Sequence, residues 1–231
     1  MRLDKYITYS GVGTRRGVKK YIRRGHIKVN DQIVYDPSFS VDENKDVVYF
    51  DDQLLDYQEY RYVLLYKPKG YVSTTIEERG HPPVTDLVAD LGYKNLAPVG
   101  RLDCDTTGLL LLTNDGKLAH RLLAPKFHVD KSYLVETDYP IPLDLPEKFL
   151  KGVQVLDYVT LPAKLEILEK NKAIITIHEG KYHQIKRMFL TCGCKVINLH
   201  RLSFAFLTLG DLKEGEYRLL KEEEIERLKS L

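Results

Sequence analysis

Apolar positions recur along this chain with two different spacings, and the switches between them mark out its elements. Leu3, Tyr6 and Ile7 fall on one side of a short helix over residues 3–9, which Ser10-Gly11-Val12-Gly13 breaks. Thr14 is an N-cap candidate, and a second helix runs from it to Gly25, with Val18, Tyr21 and Ile22 as its apolar stripe. Residues 26–29 and 32–34 alternate around Asn30-Asp31, a hairpin signal, and Val47-Val48-Tyr49-Phe50 is a further strand. Residues 51–59 are polar and acidic with no clean period, which predicts a linker with a boundary near Tyr60.

Beyond that boundary the spacing turns mostly to strands. Tyr62-Val63-Leu64-Leu65-Tyr66 is a buried-strand run, ended by the turn residues of Lys67-Pro68-Lys69-Gly70. A helical patch is predicted around residues 87–91, and Leu96-Ala97-Pro98-Val99 leads into a glycine-bounded loop. That loop passes into the apolar run of residues 109–112, closed by Asn114-Asp115-Gly116. A helix over 117–124 stops at Pro125, and residues 131–136 alternate as a strand. Residues 145–150 read as a helix with Asp144 as N-cap and Pro146 in its first turn. Residues 163–168 and 173–178 form a hairpin about Lys170-Asn171-Lys172. A helix entered through residues 179–189 ends at Gly193, with Tyr182, Ile185, Met188, Phe189 and Cys192 predicted as its core face. Residues 195–204 form another strand, and residues 222–231 an amphipathic helix turning Ile225 and Leu228 inward to cap the domain.

Length and composition narrow the class. The 231 residues, 43% of them hydrophobic, suffice for one moderate domain and a small one. Of the 3 cysteines, two are separated by one glycine in Cys192-Gly193-Cys194, which is neither a disulfide framework nor a zinc pattern. No apolar signal core or run of membrane-spanning length occurs, so a reduced, cytoplasmic location and no membrane partner are expected. The net charge of +2 conceals an asymmetry. Arg2, Lys5, Arg15, Arg16, Lys19, Lys20, Arg23, Arg24 and Lys28 crowd the opening segment, opposed there by Asp4 alone. Such a bias points to a polyanion-binding module joined to something less basic. A solvated basic helix face without a ligand is the plain alternative.

The stretch GRLDCDTTGLLLLTND, residues 100–115, sets Arg101, Asp103, Asp105, Thr106 and Thr107 at the lip of a buried strand. Titratable groups mounted this way on a rigid frame are suited to chemistry, although an ordinary loop whose Arg and Asp pair with each other needs no function. The stretch resembles the central motif of the pseudouridine synthases, in the RsuA/RluB/RluE/RluF branch that modifies ribosomal RNA. YKPKGYVST (66–74), the Lys131-Ser132-Tyr133 opening and EGKYHQIKRMF (179–189) resemble its other motifs, in the same order. RRGHIKVNDQIV (23–34) resembles the alpha-L, ribosomal-protein-S-four-like RNA-binding domain.

The resemblance implies an α+β protein: a small N-terminal alpha-L domain over 1–58, then a catalytic domain over 60–231. The catalytic domain would be built on a mixed, largely antiparallel sheet with flanking helices. It implies an isomerase that detaches a uracil from its ribose at N1 and rejoins it at C5, with no cofactor or metal. Asp103 would be the nucleophile, Tyr133 the ring against the target base and Lys186 the basic partner of Asp103, where many relatives carry Arg. Asp105 is read as ordering the loop through backbone N–H groups or Thr106 and Thr107, and His183 as structural or RNA-contacting. Arg101 would fill the space the flipped base vacates or hold its phosphate. Arg15, Arg16, Lys19, Lys20, Arg23, Arg24 and Lys28 would grip RNA, Lys67 and Lys69 could touch phosphate, and Arg201 would add a contact. For Lys67 and Lys69 a second role, holding the turn beside the catalytic loop, is favoured.

Large-subunit relatives tend to carry Asn-Arg-Gln where this chain has Tyr182-His183-Gln184, which favours 16S over 23S ribosomal RNA as substrate. A monomer acting on 16S rRNA or a small-subunit assembly intermediate is the expectation. A non-catalytic RNA-binding assembly factor is the rival from another class.

Overall fold

The computed structural model describes residues 1–55, 57–156 and 158–231. Asp56, inside the expected linker, lies outside the described residues. The chain divides into two compact units, Met1–Arg61 with Val88–Leu96, and Tyr62–Leu87 with Ala97–Leu231.

The first unit opens with α1 (Leu3–Tyr9) and α2 (Arg15–Arg23). The Thr14 hydroxyl accepts from the Gly17 N–H at 3.1 Å, the predicted cap. A small antiparallel sheet follows, made of β1 (Ile27–Val29), β2 (Gln32–Ile33), β3 (Val48–Phe50) and β4 (Gln53–Leu54), in the order β2-β1-β3-β4. Asn30 and Asp31 both have positive φ, 49° and 68°, the left-handed pair that a two-residue hairpin needs. Leu3, Ile7, Val18, Ile22, Ile27 and Val48 form the fully buried core that both helices and β1 share. Residues Val88–Leu96 cluster with this unit. There the Arg61 guanidinium lies 4.5 Å from the Tyr93 ring centre.

The second unit carries a mixed sheet. Its elements in chain order are β5 (Tyr62–Lys67), β6 (Ala97–Pro98), β7 (Thr107–Thr113), α3 (Gly116–Leu123) and β8 (Lys131–Thr137). Next come α4 (Leu145–Leu150), the short pair β9 (Gln154–Val155) and β10 (Tyr158–Val159), and the hairpin β11 (Lys164–Glu169) and β12 (Lys172–Ile177). The chain finishes with α5 (Gln184–Thr191), β13 (Val196–Phe204), β14 (Leu207–Thr208), β15 (Tyr217–Leu219) and α6 (Glu222–Ser230). The main sheet runs β11-β12-β8-β13-β7-β5-β15. Only β13 and β7 pair in parallel along that path.

Leu109, Leu110, Leu111 and Leu112 of β7 are all fully buried, so the central strand is covered on both faces and reads as an unbroken apolar run. Leu118 and Leu122 of α3 and Leu228 of α6 join one of those cores, with Ile225 packed against it, so the terminal helix caps the domain as predicted. Asp115 does more than end the strand: its carboxylate caps α3 at the Leu118 N–H (3.0 Å) and accepts from the Tyr62 hydroxyl (2.9 Å).

Three local expectations fail. Tyr21, expected in the apolar stripe of α2, is exposed, its ring edge-on to Phe50 at 5.1 Å. Asp144 makes no side-chain cap for α4; its carboxylate is drawn to Lys148 one turn on, at 2.8 Å. Tyr182 is not core but 67% exposed, because α5 begins only at Gln184 and leaves Tyr182 on the preceding loop.

Candidate active site

The loop of residues 100–108 is held from three directions. At its end, Gly108 (φ +112°) sits where a Cβ would lie 2.3 Å from the Arg201 carbonyl oxygen, so the parallel approach of β7 to β13 requires glycine there. From β5, the Lys67 ammonium donates to the carbonyls of Pro68 (2.9 Å), Asp103 (3.2 Å), Cys104 (3.4 Å) and Thr106 (2.9 Å). Gly70 N–H adds a bond to Cys104 O at 2.9 Å, and the Ser73 hydroxyl both donates to Leu102 O and accepts from Leu102 N–H at 2.9 Å. The loop closes on itself in a turn, Thr106 N–H to Asp103 O at 3.0 Å.

Lys67 is therefore not a phosphate contact. It is fully buried, and four carbonyls occupy the ammonium that phosphate would need. Burial pushes its pKa down to about 8. Lys69 is exposed and donates to Asn198 at 2.8 Å, so that cation stays accessible. Arg201 is likewise withdrawn: 2% exposed, it donates to Leu109 O at 2.5 Å and lies between the rings of Tyr133 (6.0 Å) and Phe204 (5.5 Å). The β8–β13 register pairs Arg201 with Tyr133 on one face of the sheet, where the guanidinium is packed beneath neighbouring side chains and not open to RNA.

Alternation along β8 sends Lys131, Tyr133, Val135 and Thr137 to the buried face. The third contributor is α5 and the loop before it. The buried Glu179 carboxylate accepts from the Leu161 N–H (2.8 Å) and the Gln184 amide (2.7 Å), while Gln184 Oε1 accepts from the Lys181 N–H (3.0 Å). This network pins the start of the helix, with His183 in the left-handed region at φ 52°. From the first turn of α5, Lys186 reaches Asp103 at 2.9 Å and Asp105 at 2.6 Å.

Asp103, Tyr133, Lys186 and Arg101 thus line one open cleft, shared with Thr106, Lys181 and His183. Burial works against the Lys186 charge, but bonds to Asp105 and Asp103 prevail and hold its pKa above the ordinary lysine value. Asp105 is also opposed by burial, and the same ammonium carries its pKa below the usual carboxylate range. Asp105 is therefore held by Lys186 and by its own backbone N–H, the second of these in keeping with the loop-ordering expected of it. The threonines are not its partners: Thr107 bonds His200 at 2.8 Å, and the buried Thr106 hydroxyl has no partner among the described residues.

His183 stands closer to Asp103 than its sequence context indicated, with Nε2 3.5 Å from Asp103 Oδ1. Three positions before Lys186 and just ahead of a helix is the signal that could have placed it on the same side. Arg101 is exposed and paired with Glu78 at 3.0 Å. A surface pair of this kind is worth about 0–1 kcal/mol and is easily exchanged for a phosphate.

In the first unit the predicted cations divide. Arg15 (3.3 Å) and Lys19 (3.7 Å), with Arg2 (3.1 Å), surround the fully buried Asp4, and Lys28 is bonded to Asp52. Burial would raise the Asp4 pKa, but its bonds to Arg2 and Arg15 bring it below the usual value. Arg16, Lys20, Arg23 and Arg24 are exposed, and among the described residues they carry no ion pair.

The chain belongs to the RNA pseudouridylate synthase family, whose model matches residues 61–191, while the S4 domain model matches residues 1–47. It is similar to the ribosomal small subunit pseudouridine synthase A of Escherichia coli (strain K12), 41% identical over 97% of this chain and 98% of that one. It is also similar to the ribosomal large subunit pseudouridine synthase B of Bacillus subtilis (strain 168), 38% identical over 100% of this chain and 96% of that one. A crystal structure of a pseudouridylate synthase shares the fold at a TM-score of 0.68 and 40% identity, covering 99% of each chain. No helix among the described residues is long and apolar enough to cross a membrane.

Proposed function

We propose that this pseudouridine synthase acts on a uridine of small-subunit (16S) ribosomal RNA, with Asp103 as nucleophile, Lys186 as its counter-cation and Tyr133 as the platform for the target base. The observation that supports this most is the convergence of those three side chains on one cleft from β7's leading loop, α5 and β8.

Extruding a uridine from folded RNA costs a few kcal/mol. Stacking on the Tyr133 ring returns on the order of 1–3 kcal/mol, and the Arg101 guanidinium, released from Glu78, takes the vacated space or the phosphate. Asp103 then acts as a carboxylate in the cleft, either attacking the ribose anomeric carbon or serving a glycal route after proton loss. In both routes the Lys186 ammonium at 2.9 Å balances its charge. The N1–C1′ bond breaks, the uracil turns within the cleft, and C5 bonds to C1′. In the attack route the bond from Asp103 to C1′ breaks as C5 bonds there, which regenerates the carboxylate; the C5 proton then leaves and N1 takes up a proton, with Tyr133 assisting the transfer. Isomerisation conserves every atom of the uridine, so no redox partner or group donor enters the balance. The first unit supplies electrostatic grip through Arg16, Lys20, Arg23 and Arg24.

The small-subunit reading draws on the Tyr182-His183-Gln184 string and on the 41% identity to the small-subunit enzyme. The 38% identity to a large-subunit enzyme makes 23S ribosomal RNA the second reading. Both are tested by incubating the protein with unmodified 16S and 23S transcripts and mapping pseudouridine by carbodiimide-based primer extension. Product on 16S alone is expected, and Asp103→Asn should bind the same RNA while forming none. Turnover by that variant would remove Asp103 as nucleophile, whereas a wild-type protein that binds RNA and forms no pseudouridine would leave the RNA-binding assembly factor as the better account.

A further inference from the structure

At the rim of the cleft, the Tyr182 and His183 rings are stacked with centroids 3.9 Å apart and planes 18° from parallel. His183 lies on the cleft side, 3.5 Å from Asp103. Tyr182 lies outward, and with one face against His183 it is still 67% exposed. A large aromatic ring left this open on a pinned loop is not part of the core. The loop is rigid, because Glu179 and Gln184 bond to each other at 2.7 Å and to the backbone on either side. One cation lies against the ring: the Arg187 guanidinium is 5.0 Å from its centre and has no ion pair among the described residues.

We infer that Tyr182 is a second stacking platform, which takes the unpaired nucleobase next to the target uridine while Arg187 meets the phosphate between them. This rests on the reading of the cleft as a uridine site. An exposed aromatic ring with an unpaired guanidinium over it, joined through His183 to a nucleotide pocket, is an arrangement suited to single-stranded RNA. An apolar peptide would leave Arg187 without a partner, and a duplex would present no base face to the ring. Through His183 the stack also joins the flanking base to Asp103, so holding the neighbour helps register the target.

The test uses the full-length protein and single-turnover pseudouridine formation on an unmodified 16S transcript, followed across RNA concentration for wild type, Tyr182→Ala and Tyr182→Phe. Loss of one base stack should raise the half-saturating RNA concentration of the Ala variant about ten-fold, with the smaller part of the effect on the maximal rate. The Phe variant, which keeps the ring, should restore it. RNA fragments carrying an abasic site on one or the other side of the mapped uridine then isolate the contact. One of the two should weaken wild type about ten-fold and leave the Ala variant unaffected. Equal abasic penalties in both proteins, or an Ala variant that saturates like wild type, would overturn the inference. Wild-type activity confined to 23S RNA would refute the small-subunit reading alone, and the Tyr182 comparison is then read on that transcript.

Discussion

Replacing Lys67 by methionine separates the stability of the fold from the geometry of its chemistry. The ammonium bonds four carbonyls of the motif loops, and methionine fills similar space without donating. Two of those carbonyls keep other partners: Asp103 O accepts from Thr106 N–H and Cys104 O from Gly70 N–H. Pro68 O and Thr106 O lose their lysine bonds, at about 1–3 kcal/mol each where burial bars water. Against this, the fall of the Lys67 pKa from 10.5 to about 8 shows that burying the charge already costs about 3 kcal/mol, which methionine recovers. The two effects nearly offset, so the variant should lose no more than about 3 kcal/mol of stability. Its turnover should fall much further, because the turn presenting Asp103 is no longer clamped and a displacement of about 1 Å can cost about a hundred-fold. Urea unfolding and single-turnover assays on one preparation make the comparison. A variant that turns over like wild type, or that unfolds outright, would refute the view of Lys67 as a clamp on the catalytic turn.

Three further outcomes are expected. Gly108→Ala should abolish soluble protein or activity, since its Cβ would overlap the Arg201 backbone at 2.3 Å; recovery of active protein with an unchanged melting temperature would contradict this. Lys131, buried with its pKa lowered by burial to about 8, binds a proton less readily folded than unfolded. Its destabilising effect is thus fully present below pH 8 and lifts as pH rises toward 10.5. Lys131→Met should therefore remove about 1.5 kcal/mol of the gain in stability between pH 8 and 9.5, read from paired urea titrations at both pH values. Replacing Arg16, Lys20, Arg23 and Arg24 by glutamine should lower the slope of log affinity for RNA against log salt by about 3. An unchanged slope would mean that this face does not touch phosphate.

Most of the secondary structure was legible in the chain because its local signals agree with its packing. Thr14 caps α2, Asn30-Asp31 turns the first hairpin, and the leucines of β7 are buried on both faces as their unbroken run required. Asp103, Tyr133 and Lys186 were singled out by their motifs, but motifs carry no distances. That they line one cleft follows from β8, β13 and β7 lying side by side and from α5 starting where the Glu179–Gln184 bond sets it. The fate of the cations was settled only in three dimensions. In sequence Lys67, Lys69 and Arg201 are equally basic, yet two are buried against carbonyls and rings while Lys69 faces solvent. Asp105 and His183 acquire their parts in the same way, from a lysine and a carboxylate that are distant along the chain. Periodicity and turn chemistry are local properties and can be read from neighbouring residues. A charge takes its role from what surrounds it, and those surroundings exist only once the sheet has closed.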